Sequence, residues 1–143
     1  MSHDSDLGKT LSFELGQIRK ELQVLHRVAG TRRRLGGDEV RVRAAASSLQ
    51  SIYNGMEKML GLVLKEKGKA PTGGSASHSE LLHTAVAAGI LSEELAGLLR
   101  DLMAFRHFYR HSYGFMIDAE LLNPLVDGVE GTISRLAKEL RIE

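Results

Sequence analysis

A chain of 143 residues carrying 19 Lys and Arg against 18 Asp and Glu has a formal net charge of +1. That length suits one domain, residues 1–143, with a real core and no room for a second. The near-neutral balance excludes a general polyanion binder, so any nucleic-acid affinity must come from a local patch. Cysteine is absent, which excludes a disulfide framework and a cysteine-based zinc site. No stretch reaches the length of a membrane span, and Met1-Ser2-His3-Asp4 lacks the basic-then-apolar pattern of a signal peptide; a cytoplasmic location is expected.

In chain order, Asp6 to about Ala29 places Leu11, Leu15, Ile18, Leu22 and Leu25 at helical spacing, and Gly30 closes that helix. Arg32-Arg33-Arg34, followed by Arg41 and Arg43, is the strongest basic cluster. It is either a solvated loop or a patch for an RNA backbone or a partner, adding affinity without sequence specificity. Gly36-Gly37 predicts a turn and Asp38 an N-cap. A long helix then runs to about Lys69, with Val42, Ala45, Ala46, Leu49, Ile52, Tyr53, Met56, Met59, Leu60, Val63 and Leu64 facing inward. Pro71-Thr72-Gly73-Gly74-Ser75 is the clearest loop.

Ser77 with Glu80 predicts a capping box at the start of a shorter helix, roughly His78 to Ala88. Gly89 precedes another N-cap at Ser92, which opens the next helix, and Gly114 marks its stop. After Asp118 the chain is helical again, with Pro124 tolerated near the first turn or as a kink. No run shows the strict alternation of a half-buried strand. The predicted fold class is all-α, an up-and-down antiparallel bundle of four to five helices.

The chemistry gathers at Phe105-Arg106-His107-Phe108-Tyr109-Arg110-His111-Ser112-Tyr113-Gly114. A His supplies a group that exchanges a proton near neutral pH, and the Arg fork a fixed cation that matches phosphate oxygens. Two overlapping registers set an Arg, a His and a Tyr in that order: Arg106 with His111 and Tyr113, or Arg100 with His107 and Tyr109. Helical phase favours the former, because Leu95, Leu98, Leu99, Leu102, Phe105, Arg106 and Tyr109 follow the spacing of one buried face, while Arg100 lies off it. The plainer reading of the same residues is a cationic helix end facing the dipole.

Arg106, four residues, His111, one residue and Tyr113 together resemble the signature of the HEPN superfamily of helical ribonucleases. The Tyr-bearing form is similar to the HepT-like toxins of bacterial and archaeal toxin–antitoxin pairs. Ile52-Tyr53-Asn54-Gly55-Met56-Glu57 resembles the second-helix signature of that branch, and His78-Ser79-Glu80-Leu81-Leu82 its mid-chain helix start. The likeness is to one HepT-like subfamily rather than the commonest, whose motif is usually Arg-Asn followed by small apolar residues. It implies a HEPN-like bundle and a two-fold homodimer that brings two motifs into one cleft. It further implies metal-independent endonucleolytic transesterification of RNA with no cofactor, Arg106 and His111 being the catalytic pair. The products would be a 2′,3′-cyclic phosphate or 3′-phosphate and a 5′-hydroxyl. The implied partner is a minimal nucleotidyltransferase antitoxin that transfers AMP to Tyr113, placing a bulky anion near His111. Neither a membrane nor DNA is an expected partner.

Several neighbours carry two readings each. Asn54 and Glu57 lie one turn apart; Glu57 either orients Arg106 or a catalytic His, or is an exposed carboxylate paired with a nearby Lys. His78 either lines the site or is a surface residue beside the loop. His107 and His111 have the spacing of a helical metal-binding pair, but Phe108 stands where a zinc protease places its Glu, and two ligands are missing. Tyr109 and Arg110 are supporting or RNA-binding candidates by position. Tyr113 is an AMP acceptor or an aromatic packed at the helix end. The competing function is a non-catalytic HEPN-like module that binds RNA, nucleotide or a protein partner. A plain scaffold leaves Arg106 on a buried face unexplained.

Overall fold

A computed structural model describes residues 6–30, 35, 38–70 and 77–142. Five α-helices account for most of them: α1 (Asp6–Ala29), α2 (Glu39–Glu66), α3 (Ser77–Ala87), α4 (Glu93–His111) and α5 (Ala119–Glu139), with a 3₁₀ turn at Gly114–Met116. There is no strand among the described residues. The all-α antiparallel bundle expected from helical periodicity is the fold observed.

Three of the helices, α2, α4 and α5, begin where a short polar side chain accepts from an otherwise unpaired backbone N–H. Asp38 Oδ1 accepts from the N–H groups of Val40 at 2.9 Å and Arg41 at 3.2 Å. Ser92 Oγ accepts from Leu95 N–H at 3.1 Å, and Asp118 Oδ1 from Leu121 N–H at 2.9 Å. Ser92 is held in turn by Glu139 of α5, whose carboxylate accepts from its backbone N–H and its hydroxyl, both at 2.7 Å. Helix α2 stops at Glu66, short of Lys69, because Gly68 turns left-handed at φ 70° and sends Lys69 N–H back to Leu64 O at 2.8 Å.

Helix α2 is the central element, packing on α1, α3, α4 and α5. Its inward residues, Val42 through Leu64 as predicted, are all buried. They join the apolar stripes of the other helices in one contiguous core. Leu35 closes the end between α1 and α2, fully buried, its N–H donating to Asn123 Oδ1 of α5 at 3.3 Å.

Four expectations need correcting or placing. Leu98 is 39% exposed, at the edge of the α4 stripe rather than within it. Gly114 does not end α4 by a left-handed turn; the helix finishes at His111 and Gly114 opens the 3₁₀ turn, where a Cβ would lie 2.8 Å from Arg43 Cζ. Pro124 sits in the second turn of α5, so the Glu120 carbonyl lacks its helical donor. The Gly36-Gly37 turn, the 71–75 loop, Arg32-Arg33-Arg34 and the Ser77 side chain of the proposed capping box lie outside the described residues.

Candidate functional site

Leu95, Leu99, Leu102 and Phe105 are buried along α4. Arg106 follows them half-buried, at the margin of that face where α4 meets α2. Its Nε donates to Asn54 Oδ1 at 2.7 Å. Among the described residues no carboxylate forms an ion pair with Arg106, so its terminal nitrogens are not committed to an internal anion. An amide partner fixes the plane of the fork without neutralising its charge.

One turn further along α2, Glu57 faces the same side as Asn54. It binds neither Arg106, a motif His nor a Lys. Its Oε2 accepts from the Tyr53 hydroxyl at 2.9 Å and its Oε1 meets His78 Nδ1 of α3 at 2.8 Å. The Glu57 side chain is 16% exposed and His78 41%, so the carboxylate is enclosed and the imidazole is open on one side. Burial pushes the Tyr53 phenol far above its ordinary range; the charge and hydrogen bond of Glu57 add to that, and Arg106 partly offsets it. Tyr53 is therefore a fixed donor. Asn54, Glu57, Lys58, Gly61, His78 and Leu81 line an open groove of about 310 Å³ between α2 and α3.

The remaining motif residues emerge at the end of α4. His107 and His111 are exposed, their ring centroids 4.5 Å apart at 51°. Tyr109 is half-buried against Phe105, centroids 5.9 Å apart, and Arg110 is exposed. Five helical positions separate Arg106 from His111, about 140° around the axis, so within one chain the two side chains open on different faces. The structure thus joins Arg106 to Asn54 and His107 to His111, but records no contact between Arg106 and His111. Tyr113 lies beyond the helix, 74% exposed, its ring parallel to Phe115 at 5.7 Å and 7°.

Arg100 is exposed and paired with Glu93 at 3.1 Å, back toward the start of α4. Arg43 pairs with Glu39 and lies against Gly114, whereas Arg41 is spent on the α1 terminus, its Nε donating to Val28 O at 2.8 Å. Among the described residues no three His, Asp or Glu side chains converge in a metal-binding arrangement. Two residues of the site have no role of their own in the sequence reading. Tyr53 reads there as core and as part of the second-helix signature, although its spacing of four from Glu57 was a usable signal for a helical side-chain pair. Lys58, at the groove rim and paired with Glu14 at 3.0 Å, carried no signal.

Residues 44–142 match the HepT-like protein family. A search of curated proteins found no match. Among solved structures, a chain from a crystal structure of the toxin–antitoxin MntA–HpeT, in mutant form, superposes with a TM-score of 0.68 at 12% identity, covering 96% of this chain and 97% of that one. At that identity the likeness is one of fold, and it is the helical bundle that the HEPN resemblance implied. Because the family match takes in α3, α4, α5 and most of α2, with Asn54, Glu57, His78, Arg106 and His111 all inside it, this chain belongs to the HepT-like protein family.

Proposed function

We propose that the chain is the toxin of a toxin–antitoxin pair and a metal-independent endoribonuclease, with Arg106 and His111 as its catalytic pair. The observation that carries this is Arg106 itself: a guanidinium half-buried on a core helix, aimed by Asn54 and not paired with a carboxylate. A site with that character suits an anionic ligand that gains charge during reaction. His111 moves a proton, at the ribose 2′-hydroxyl or at the leaving 5′-oxygen, while Arg106 holds the non-bridging phosphate oxygens. The Arg100 and His107 register is less suited, since Arg100 already has a carboxylate partner.

The divergence of Arg106 and His111 around α4 supports a site completed by a second copy. So does the surface: of the eight large hydrophobics exposed among the described residues, five (Phe108, Tyr113, Phe115, Met116 and Leu121) fall at the end of α4, the 3₁₀ turn and the start of α5. Apolar exposure concentrated in this way marks an association face, and two-fold symmetry would set two motifs opposite each other. A nucleotidyltransferase antitoxin acting on Tyr113 completes the reading. The fold match to a toxin–antitoxin protein and the exposure of Tyr113 support it.

The test is cleavage of a structured RNA by purified protein. His111→Ala is expected to abolish cutting and Arg106→Ala to slow it by about 10²-fold or more, with a cyclic phosphate and a 5′-hydroxyl as products and no effect of chelator. Undiminished cutting by both variants, or loss of activity in chelator, overturns the mechanism. Binding of RNA without cleavage by the wild type would favour the non-catalytic module.

A further inference from the structure

One imidazole cannot readily serve as both base and acid in a single transesterification, and His111 stands on a different face of α4 from the Arg106 fork. The groove between α2 and α3 holds another imidazole. His78 meets Glu57 through Nδ1 at 2.8 Å, and Glu57 is immobilised from its other oxygen by buried Tyr53 at 2.9 Å. With Nδ1–H donating to a carboxylate, the neutral ring must carry its lone pair on Nε2. The carboxylate also fixes the ring's orientation and provides a countercharge for the imidazolium formed on proton uptake, the relation found in hydrolytic triads. Asn54, which aims Arg106, and Glu57, which aims His78, are one turn apart on α2 and line the same groove. The residues that anchor the Arg106 fork and the His78 ring are therefore about one helical turn, ~5 Å, apart along the α2 axis.

We infer that His78 is a second catalytic residue, the general base of the cleavage, with Glu57 as its positioning residue and His111 left to act as the acid; this rests on the ribonuclease reading above. His78 Nε2 takes the proton from the 2′-hydroxyl as O2′ forms its bond to phosphorus. The bond from phosphorus to O5′ breaks, and the His111 imidazolium gives its proton to that oxygen. One proton enters at His78 and one leaves at His111, with no other reactant needed. The ionisable groups of α2 that share the groove with His78 are Glu57 and Lys58; Tyr53 is bound to the other oxygen of Glu57, and Arg106 of α4 lies beyond Asn54. Tyr53 is held protonated and Lys58 is paired with Glu14.

The experiment compares wild type, His78→Asn, Glu57→Gln and His111→Ala on two substrates. One is ordinary RNA; the other is the same RNA with sulfur in place of the leaving 5′-oxygen, whose thiolate departs without an acid. Asn keeps a donor at the Nδ1 position, so the tether from α3 to α2 survives, and thermal melts check it. On ordinary RNA His78→Asn is expected to lose about 10²-fold or more in kcat with KM little changed, and to lose the acidic limb of the pH–rate profile. On the sulfur substrate His111→Ala recovers and His78→Asn does not. Glu57→Gln is expected to show a smaller loss, also in kcat; should His78→Asn prove unfolded, this variant and its acidic limb decide the matter. Wild-type rates in His78→Asn, or its rescue by the sulfur leaving group, overturn the base assignment while leaving the ribonuclease reading intact. A wild type that cuts no RNA overturns both.

Discussion

Tyr113 stands clear of the bundle, ring against Phe115, its hydroxyl accessible to another enzyme's active site. An AMP joined there would set a bulky anion two residues from His111 and repel an RNA phosphate. Tyr113→Phe should therefore cut RNA as the wild type does and stay toxic beside its cognate nucleotidyltransferase. The unmodified wild type, given that enzyme and ATP, should lose activity and gain whole AMP increments at Tyr113 by mass. A folded Tyr113→Phe that is inactive from the outset would instead place the hydroxyl in binding or chemistry.

Helix α2 packs closely against α1 at Gly55. A Cβ there would lie 2.6 Å from Ile18 Cγ1 and 3.0 Å from its Cδ1, and Ile18 is itself only 3% exposed. Neither side has room to yield, so Gly55→Ala is expected to cost about 1–3 kcal/mol despite its better helix propensity, measured by urea unfolding. Gly114→Ala is the control. Its crowding comes from the end of the flexible, exposed Arg43 side chain, which can swing away, so the change should stay within about 0.5 kcal/mol. Equal losses in the two variants would show that the approach of α1 to α2 is not what Gly55 serves. Spacing alone read the helices well but misjudged their edges. Leu98 fits the apolar period of α4 yet emerges at 39% exposure, because period defines a stripe and only a neighbouring helix defines its width.

For the molecule as a whole, the proposed dimer has a direct consequence. If a cleft takes Arg106 from one copy and His111 from the other, mixing Arg106→Ala with His111→Ala under conditions of subunit exchange should restore cleavage well above either variant alone. The solution mass should be that of a dimer at micromolar concentration. A strictly monomeric mass, or a mixture as inactive as its parts, would place each site within a single chain. The sequence by itself determined the class of fold, the helix starts at Asp38, Ser92 and Asp118 and the motif on α4, because caps and periodicity are written in residues a few positions apart. The partnerships were decided only by the tertiary structure: Glu57 with His78 across 21 residues, Ser92 with Glu139 across 47, Arg106 with Asn54 across 52, and Leu35 with Asn123 across 88. Which polar side chains meet at such separations depends on how the helices rotate and slide to bury their apolar faces, and core packing sets that geometry without regard to the polar groups carried along at the margins.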